Sequence, residues 1–166
     1  ETHPDFGNYG LLGKLEITLD KRNLFLHLRP ECPKITWYHE KKHLEDFLIK
    51  NWKNTPLVKE YDIYEDNGEL VGQQYPSDTG PIDILAISKD KKTILVIELK
   101  KGRASDVVVG QIQRYMGYVK EELAEPNQTV KGIIIGLEAD TRLKRALAVT
   151  SNIEFYRYKV DFKLHK

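Results

Sequence analysis

The sequence predicts an α/β domain, a mixed β-sheet flanked by helices, with a small β-hairpin appended at its N-terminal end. Three observations carry that expectation. The apolar runs Ile82–Ser88 (IDILAIS) and residues 93–100 (TILVIELK) are separated only by Lys89-Asp90-Lys91-Lys92, the pattern of an antiparallel hairpin. Residues 104–123 then carry Val107, Val108, Ile112, Met116 and Val119 at helical spacing. Beyond them come a buried-strand run at residues 130–136 (VKGIIIG), a helix pattern at residues 140–149 and another strand pattern at residues 153–158.

The other elements follow in order. Residues 1–12 look irregular, with Gly7, Gly10 and then Gly13 close together. Residues 14–19 and 23–28 alternate apolar with polar side chains around Asp20-Lys21-Arg22, so LEITL and LFLHL form a hairpin. Two prolines and Cys32 make residues 29–34 a loop. Leu44, Phe47, Leu48 and Trp52 lie at helical spacing, which predicts a helix over residues 39–52, ended by Asn54-Thr55-Pro56. Residues 58–64 are ambiguous. Asp66-Asn67-Gly68 is a turn, residues 69–75 a strand, and residues 76–80 a loop into IDILAIS. Ser105 or Asp106 is the expected cap of the second helix, and Asp140 or Thr141 that of the third. A last short strand is expected at residues 160–164. The expected division is an appendage over residues 1–38 and a main domain over residues 39–166. The appendage would extend the sheet or form a dimer contact.

A chain of 166 residues, 40% apolar and 31% charged, can bury a real core. No apolar run approaches the roughly 20 residues that a membrane helix needs. Cys32 is the only cysteine, so an internal disulfide and a cysteine zinc cluster are both excluded, and a cytoplasmic location is expected. The five histidines show no metal-binding spacing. A net charge of +1 argues neither for nor against nucleic acid, so local clustering of charge matters more.

The central hairpin also carries the chemistry. Gly80-Pro81-Ile82-Asp83 sets an acid at the start of its first strand, and Glu98-Leu99-Lys100 sets an acid and a lysine at the end of its second. Side chains alternate along a strand, so Glu98 and Lys100 project from one face. Charges on buried strands are rare unless paired or metal-bound. A divalent-metal site for phosphodiester cleavage accounts for all three residues. A phosphodiester repels a nucleophile, and a divalent cation screens the phosphate, lowers the pKa of bound water and stabilises the leaving oxygen. Magnesium takes hard oxygen ligands and keeps several waters, so Asp83 and Glu98 suffice, with the Leu99 carbonyl as a third donor. Lys100 would orient the nucleophile or stabilise developing negative charge. Gln111 and Tyr115, four apart, share a face of the next helix, and Gly110 beside them permits close backbone approach. Lys101, Arg103 and Arg114 supply positive charge suited to phosphate contacts.

The pattern GPID…IELK followed by GQIQRYMGYV resembles the PD-(D/E)XK nuclease superfamily and is similar to the catalytic domain of the endonuclease NucS (EndoMS) group. The resemblance covers roughly residues 42–158. It implies a restriction-endonuclease-like core, with Asp83, Glu98 and Lys100 as the metal site. It also implies a contribution from a helical glutamate, here Glu45 in HLEDFLIKN, and from Gln111 and Tyr115 of the QxxRY helix. The activity implied is endonucleolytic cleavage of DNA with magnesium or manganese, by in-line attack that leaves a 5′-phosphate. A homodimer is implied as well. Residues 1–38 are too short to be the whole N-terminal domain of the NucS group, so mismatch recognition does not carry over.

Other readings stay open at this point. Asp83, Glu98 and Lys100 are also the ingredients of a salt bridge at a strand end, and Glu45 those of a solvated helix face. Gln111 and Tyr115 also suit the edge of a core. Trp37, Tyr38 and His39 suit base stacking or a hydrophobic staple. The basic tail over residues 157–166 suits DNA contact or protection of an edge strand. For the whole chain the alternatives are a non-catalytic nucleic-acid-binding module, a restriction or phage-defence enzyme, and a junction-resolving nuclease.

Overall fold

The computed structural model describes residues 15–18, 25–28 and 41–161. The expectations for the loop at residues 29–34, for Trp37, Tyr38 and His39, for the boundary at residue 38 and for the tail beyond residue 161 lie outside the described residues. Strands β1 (Leu15–Thr18) and β2 (Phe25–Leu28) pair antiparallel, Leu15 opposite Leu28, as their alternation predicts. Helix α1 (Lys41–Lys50) buries Leu44 and Leu48. Two short 3-10 turns, Trp52–Asn54 and Pro56–Lys59, lead away from it. Trp52 is therefore outside the helix, where its indole N–H donates to the Tyr61 carbonyl at 3.1 Å.

The ambiguous segment at residues 58–64 divides between the second 3-10 turn and strand β3 (Tyr61–Ile63). Strands β4 (Glu65–Asp66) and β5 (Glu69–Leu70) form a small hairpin. Its turn residues Asn67 and Gly68 both have positive φ, the geometry that suits a twisted two-residue loop. The single strand expected over residues 69–75 is split, and β6 (Gln73–Tyr75) begins only after Gly72. Gly72 accounts for the split. A Cβ there would be driven into the Leu85 carbonyl oxygen and would lie 2.8 Å from Ile63 Cγ2 and 2.9 Å from Tyr64 N. The backbone passes that closely because Gly72 N–H donates to Tyr64 O while Leu85 N–H donates to Gly72 O.

Strands β7 (Ile82–Ser88) and β8 (Thr93–Leu99) form the expected hairpin, with Ile84 opposite Ile97 and Ile87 opposite Ile94. Then come β9 (Arg103–Ala104), α2 (Val107–Tyr118) and one wider π-type turn, Val119–Leu123. The chain continues with β10 (Thr129–Gly136), β11 (Glu138–Ala139), α3 (Thr141–Ala148), β12 (Ile153–Arg157) and β13 (Val160–Asp161). The main sheet has the order β12-β10-β8-β7-β3, and β6 also pairs with β7. Strands β8, β10 and β12 are parallel and joined through α2 and α3, whereas β7 is antiparallel to β8. This is the mixed α/β sheet that the sequence predicts. Strand β13 pairs with β1, so the appended hairpin belongs to a separate three-stranded sheet and does not extend the main one.

Leu44 and Leu48 of α1 pack with Ile84, Ala86, Leu95 and Ile97 on one face of the main sheet. Val108, Ile112 and Met116 of α2, with Leu143 of α3, pack with Leu85, Ile94 and Val96 on the other. Three expectations are corrected here. Val107 is 77% exposed, and Val109 is buried instead. Asp106 stands at the N-cap of α2, but its side chain makes no capping hydrogen bond; the first free amides bond to the backbone carbonyls of Ser105 and Asp106. Gly110 is not a point of close approach, since a Cβ there would meet only Arg114 at 3.8 Å. The tight approach of α2 to the sheet is at Gly132 of β10, where a Cβ would lie 2.8 Å from Met116 Sδ. Asp140 caps α3 as expected, accepting from Leu143 N–H at 2.7 Å. No described helix is long and apolar enough to cross a membrane.

Candidate active site

The β7–β8 register places the two acids across from each other. One step past the Ile84–Ile97 pair, Asp83 faces Glu98. Both side chains are buried, at 2% and 0% exposure. Asp83 lies where β7 begins, and its Oδ2 accepts the Leu99 backbone N–H at 2.7 Å. The N–H and C=O of one strand residue leave on the same side, so the Leu99 carbonyl shares the edge that Asp83 occupies. Glu98 continues the Ile94–Val96 row of the face covered by α2.

Lys100 Nζ lies 3.0 Å from Glu98 Oε1 and donates to Gln111 Oε1 at 2.8 Å. Gln111 Nε2 in turn donates to the Tyr115 hydroxyl at 3.3 Å. The i, i+4 pair on α2 thus reaches the end of β8 as its spacing predicts. Glu45 is buried on α1 and belongs to the same cluster. Its Oε1 accepts from Gln73 Nε2 at 2.9 Å, its Oε2 accepts from Gln74 Nε2, and Gln74 Nε2 also reaches Asp83 Oδ1 at 3.4 Å. Gln74 holds this position with a left-handed φ of +50°, costly for a residue with a Cβ.

Three residues of this cluster are not apparent from the sequence pattern. Gln73 and Gln74 carry a polar pair in an expected strand, just after a glycine. Lys41 stands four residues before Glu45 on one face of α1. Its Nζ lies 2.7 Å from Asp83 Oδ2 and 3.0 Å from Glu98 Oε1. Lys101, Arg103 and Arg114 are exposed, and no hydrogen bond found among the described residues joins them to this network.

Burial is the largest influence on Glu98, and with the charge of Asp83 it raises the carboxyl pKa above the usual range; Lys41 and Lys100 oppose that rise. Burial likewise raises Glu45, against the lowering effect of the Gln73 and Gln74 hydrogen bonds. Burial alone would depress Lys41, but the hydrogen bonds and charges of Asp83 and Glu98 outweigh it, leaving the ammonium's pKa raised. Burial of these carboxyls is therefore only partly offset by the ammonium groups and amides around them.

Residues 50–163 match the Endonuclease NucS C-terminal domain family. The chain belongs to that family. Among curated relatives, it is 32% identical over 101 residues to Endonuclease NucS of Methanocaldococcus jannaschii, covering 61% of this chain and 37% of the relative. It is 30% identical over 87 residues to Endonuclease NucS 1 of Halobacterium salinarum, covering 52% of this chain and 35% of the relative. The matches thus span little more than a third of either relative's length. Two solved structures share the fold. A repair endonuclease from Pyrococcus abyssi superposes with a TM-score of 0.54 at 20% identity over 87% of this chain and 64% of that one. The EndoMS-dsDNA2 complex gives 0.55 at 18% identity over 93% and 68%.

The NucS resemblance implies a divalent metal, and the donor set can be tested against one. Glu98 Oε2 is buried without a hydrogen-bond partner, a costly state that a cation would relieve. The neighbouring donors are hard carboxylate oxygens. Among the described residues no group of three or more His, Cys, Asp and Glu is arranged to hold a metal. Two adjacent carboxylates are a donor set that a magnesium-type ion uses when water completes its shell.

Proposed function

We propose that this chain is the catalytic part of a divalent-metal-dependent DNA endonuclease of the PD-(D/E)XK type. The observation that carries the reading is the buried Asp83–Glu98 pair at one end of the sheet, with an unpartnered Glu98 oxygen and Lys100 beside it. Membership of the NucS family, and relatives named as endonucleases, support the substrate class.

Asp83 and Glu98 would hold magnesium or manganese, with the Leu99 carbonyl on the same edge. Bound there, the ion would neutralise phosphate charge and lower the pKa of water. Two of the three Lys100 ammonium protons are engaged by Glu98 and Gln111, leaving one for an anionic oxygen of the substrate or for the attacking water. Gln111 fixes the direction of that ammonium, and Tyr115 fixes Gln111 while keeping its own hydroxyl proton available. Glu45 acts through Gln74 to hold Asp83 in place, so we assign it a positioning role. In-line attack forms a bond from water oxygen to phosphorus and breaks the bond to the 3′ oxygen. That oxygen takes a proton, giving a 3′-hydroxyl and a 5′-phosphate. Cutting both strands of a duplex calls for two such sites, which a homodimer would supply.

The test is cleavage of supercoiled, linear, single-stranded, mismatched and forked DNA with magnesium or manganese, and with chelator. Metal-dependent cutting is expected to fall at least about a hundredfold in Lys100→Ala and in Asp83→Asn, both folded by circular dichroism. Binding without cleavage by any of the three proteins, in either metal, would favour a non-catalytic nucleic-acid-binding module instead.

A further inference from the structure

Lys41 has no part in the proposed catalytic set, although it lies on the face of α1 that carries Glu45, four residues further on. What Lys41 does contact is one oxygen from each proposed metal ligand, Asp83 Oδ2 at 2.7 Å and Glu98 Oε1 at 3.0 Å. A single ammonium thus sits between the two carboxylates.

Position gives this arrangement a consequence. Asp83 and Glu98 share the cluster with the buried Glu45, so three carboxylates face the ammonium groups of Lys41 and Lys100. A divalent cation placed between Asp83 and Glu98 would meet the Lys41 ammonium that already stands against both of them. The lysine most able to leave is Lys41. Its side chain is 39% exposed and long, and its contacts in the site are these two carboxylates. Lys100 is tied to Gln111 as well as to Glu98.

We propose that Lys41 is an internal counter-ion that holds Asp83 and Glu98 together before metal binds, and that metal loading is a cation exchange that releases its ammonium to solvent. This rests on the metal-site reading above and adds a residue outside that catalytic set. The exchange makes metal affinity lower than the two carboxylates alone would give. Lys41 also supplies a cation to the buried Asp83, which Lys100 does not pair with, in the metal-free site.

The test uses the full chain and manganese binding by calorimetry, without DNA. Lys41→Met is expected to tighten manganese binding by about tenfold or more. Lys42→Met, which removes the same charge from the exposed neighbouring position, is expected to stay within about twofold of wild type. A second readout needs no variant. The Lys41 side-chain ammonium resonance in nuclear magnetic resonance spectra should show slow proton exchange in metal-free wild type and lose that protection on saturation with magnesium. If the metal binds while the Lys41 signal stays protected, or if Lys41→Met binds manganese no more tightly than Lys42→Met, the exchange is wrong although the metal site stands. If neither wild type nor variant binds manganese, the metal-site reading falls and the exchange falls with it.

Discussion

Gln74 shows how much of this site depends on one residue in an unfavourable conformation. Its left-handed backbone directs a single amide at Glu45 and Asp83 together. Gln74→Ala should remove both interactions and lower stability by about 1–2 kcal/mol, measured by urea unfolding. In the same variant, cleavage should fall while the Lys100–Gln111 arrangement persists, because those residues approach from α2. The residue scale also shows what a sequence makes legible. Asp83, Glu98, Lys100, Gln111 and Tyr115 lie on elements whose periods fix their relative directions, so spacing alone brings them together. Lys41, Gln73 and Gln74 escaped because their roles depend on the docking of α1 across the sheet and on one left-handed backbone step. Neither leaves a periodic trace.

Among elements, the turn between β7 and β8 and the crossing at Gly72 give the clearest predictions. Asp90 Oδ1 accepts from Ser88 Oγ at 2.6 Å and from Lys92 N–H at 3.1 Å. The Ser88 bond first, then the Lys92 bond, lower its carboxyl pKa below the ordinary 3.8. A lowered folded-state pKa means that Asp90's contribution is fully present above 3.8 and is lost as pH falls through the lower folded value. The stability difference between wild type and Asp90→Asn should therefore be constant near neutrality and narrow in that acid window, as read by urea unfolding at several pH values. Gly72→Ala is the harsher change. Its methyl would push on backbone, so the Leu85–Gly72 hydrogen bond must shift, at a cost of about 1–3 kcal/mol. Because Gln73 and Gln74 follow directly, the variant should lose activity at temperatures where it is still folded. The strand split at Gly72 was hidden in the sequence because a close backbone approach involves a partner 13 residues away at Leu85, and local propensity carries no record of it.

On the scale of the whole molecule, the sheet order and both helical layers follow the pattern of apolar runs, and membership of the NucS C-terminal domain family agrees with that architecture. What the pattern could not supply was the pairing of β13 with β1, which joins segments far apart in the chain. The exposed cations around the site belong to this scale, since phosphate contacts are spread over a surface. Lys101→Ala, Arg103→Ala and Arg114→Ala should each weaken DNA binding across sequences and reduce the salt dependence, log K against log salt, by about one unit. Fluorescence anisotropy over a salt series measures this directly.

Strand β8 is paired on both edges, by β7 and β10, and covered on both faces. Backbone in such a place opens only when the whole domain opens, so its amides should be among the last to exchange with deuterium. Glu98 therefore has no private route to losing its shape. On heating, loss of manganese binding by the wild-type chain should coincide with its global unfolding, without an earlier phase in which a still-folded protein has lost its site.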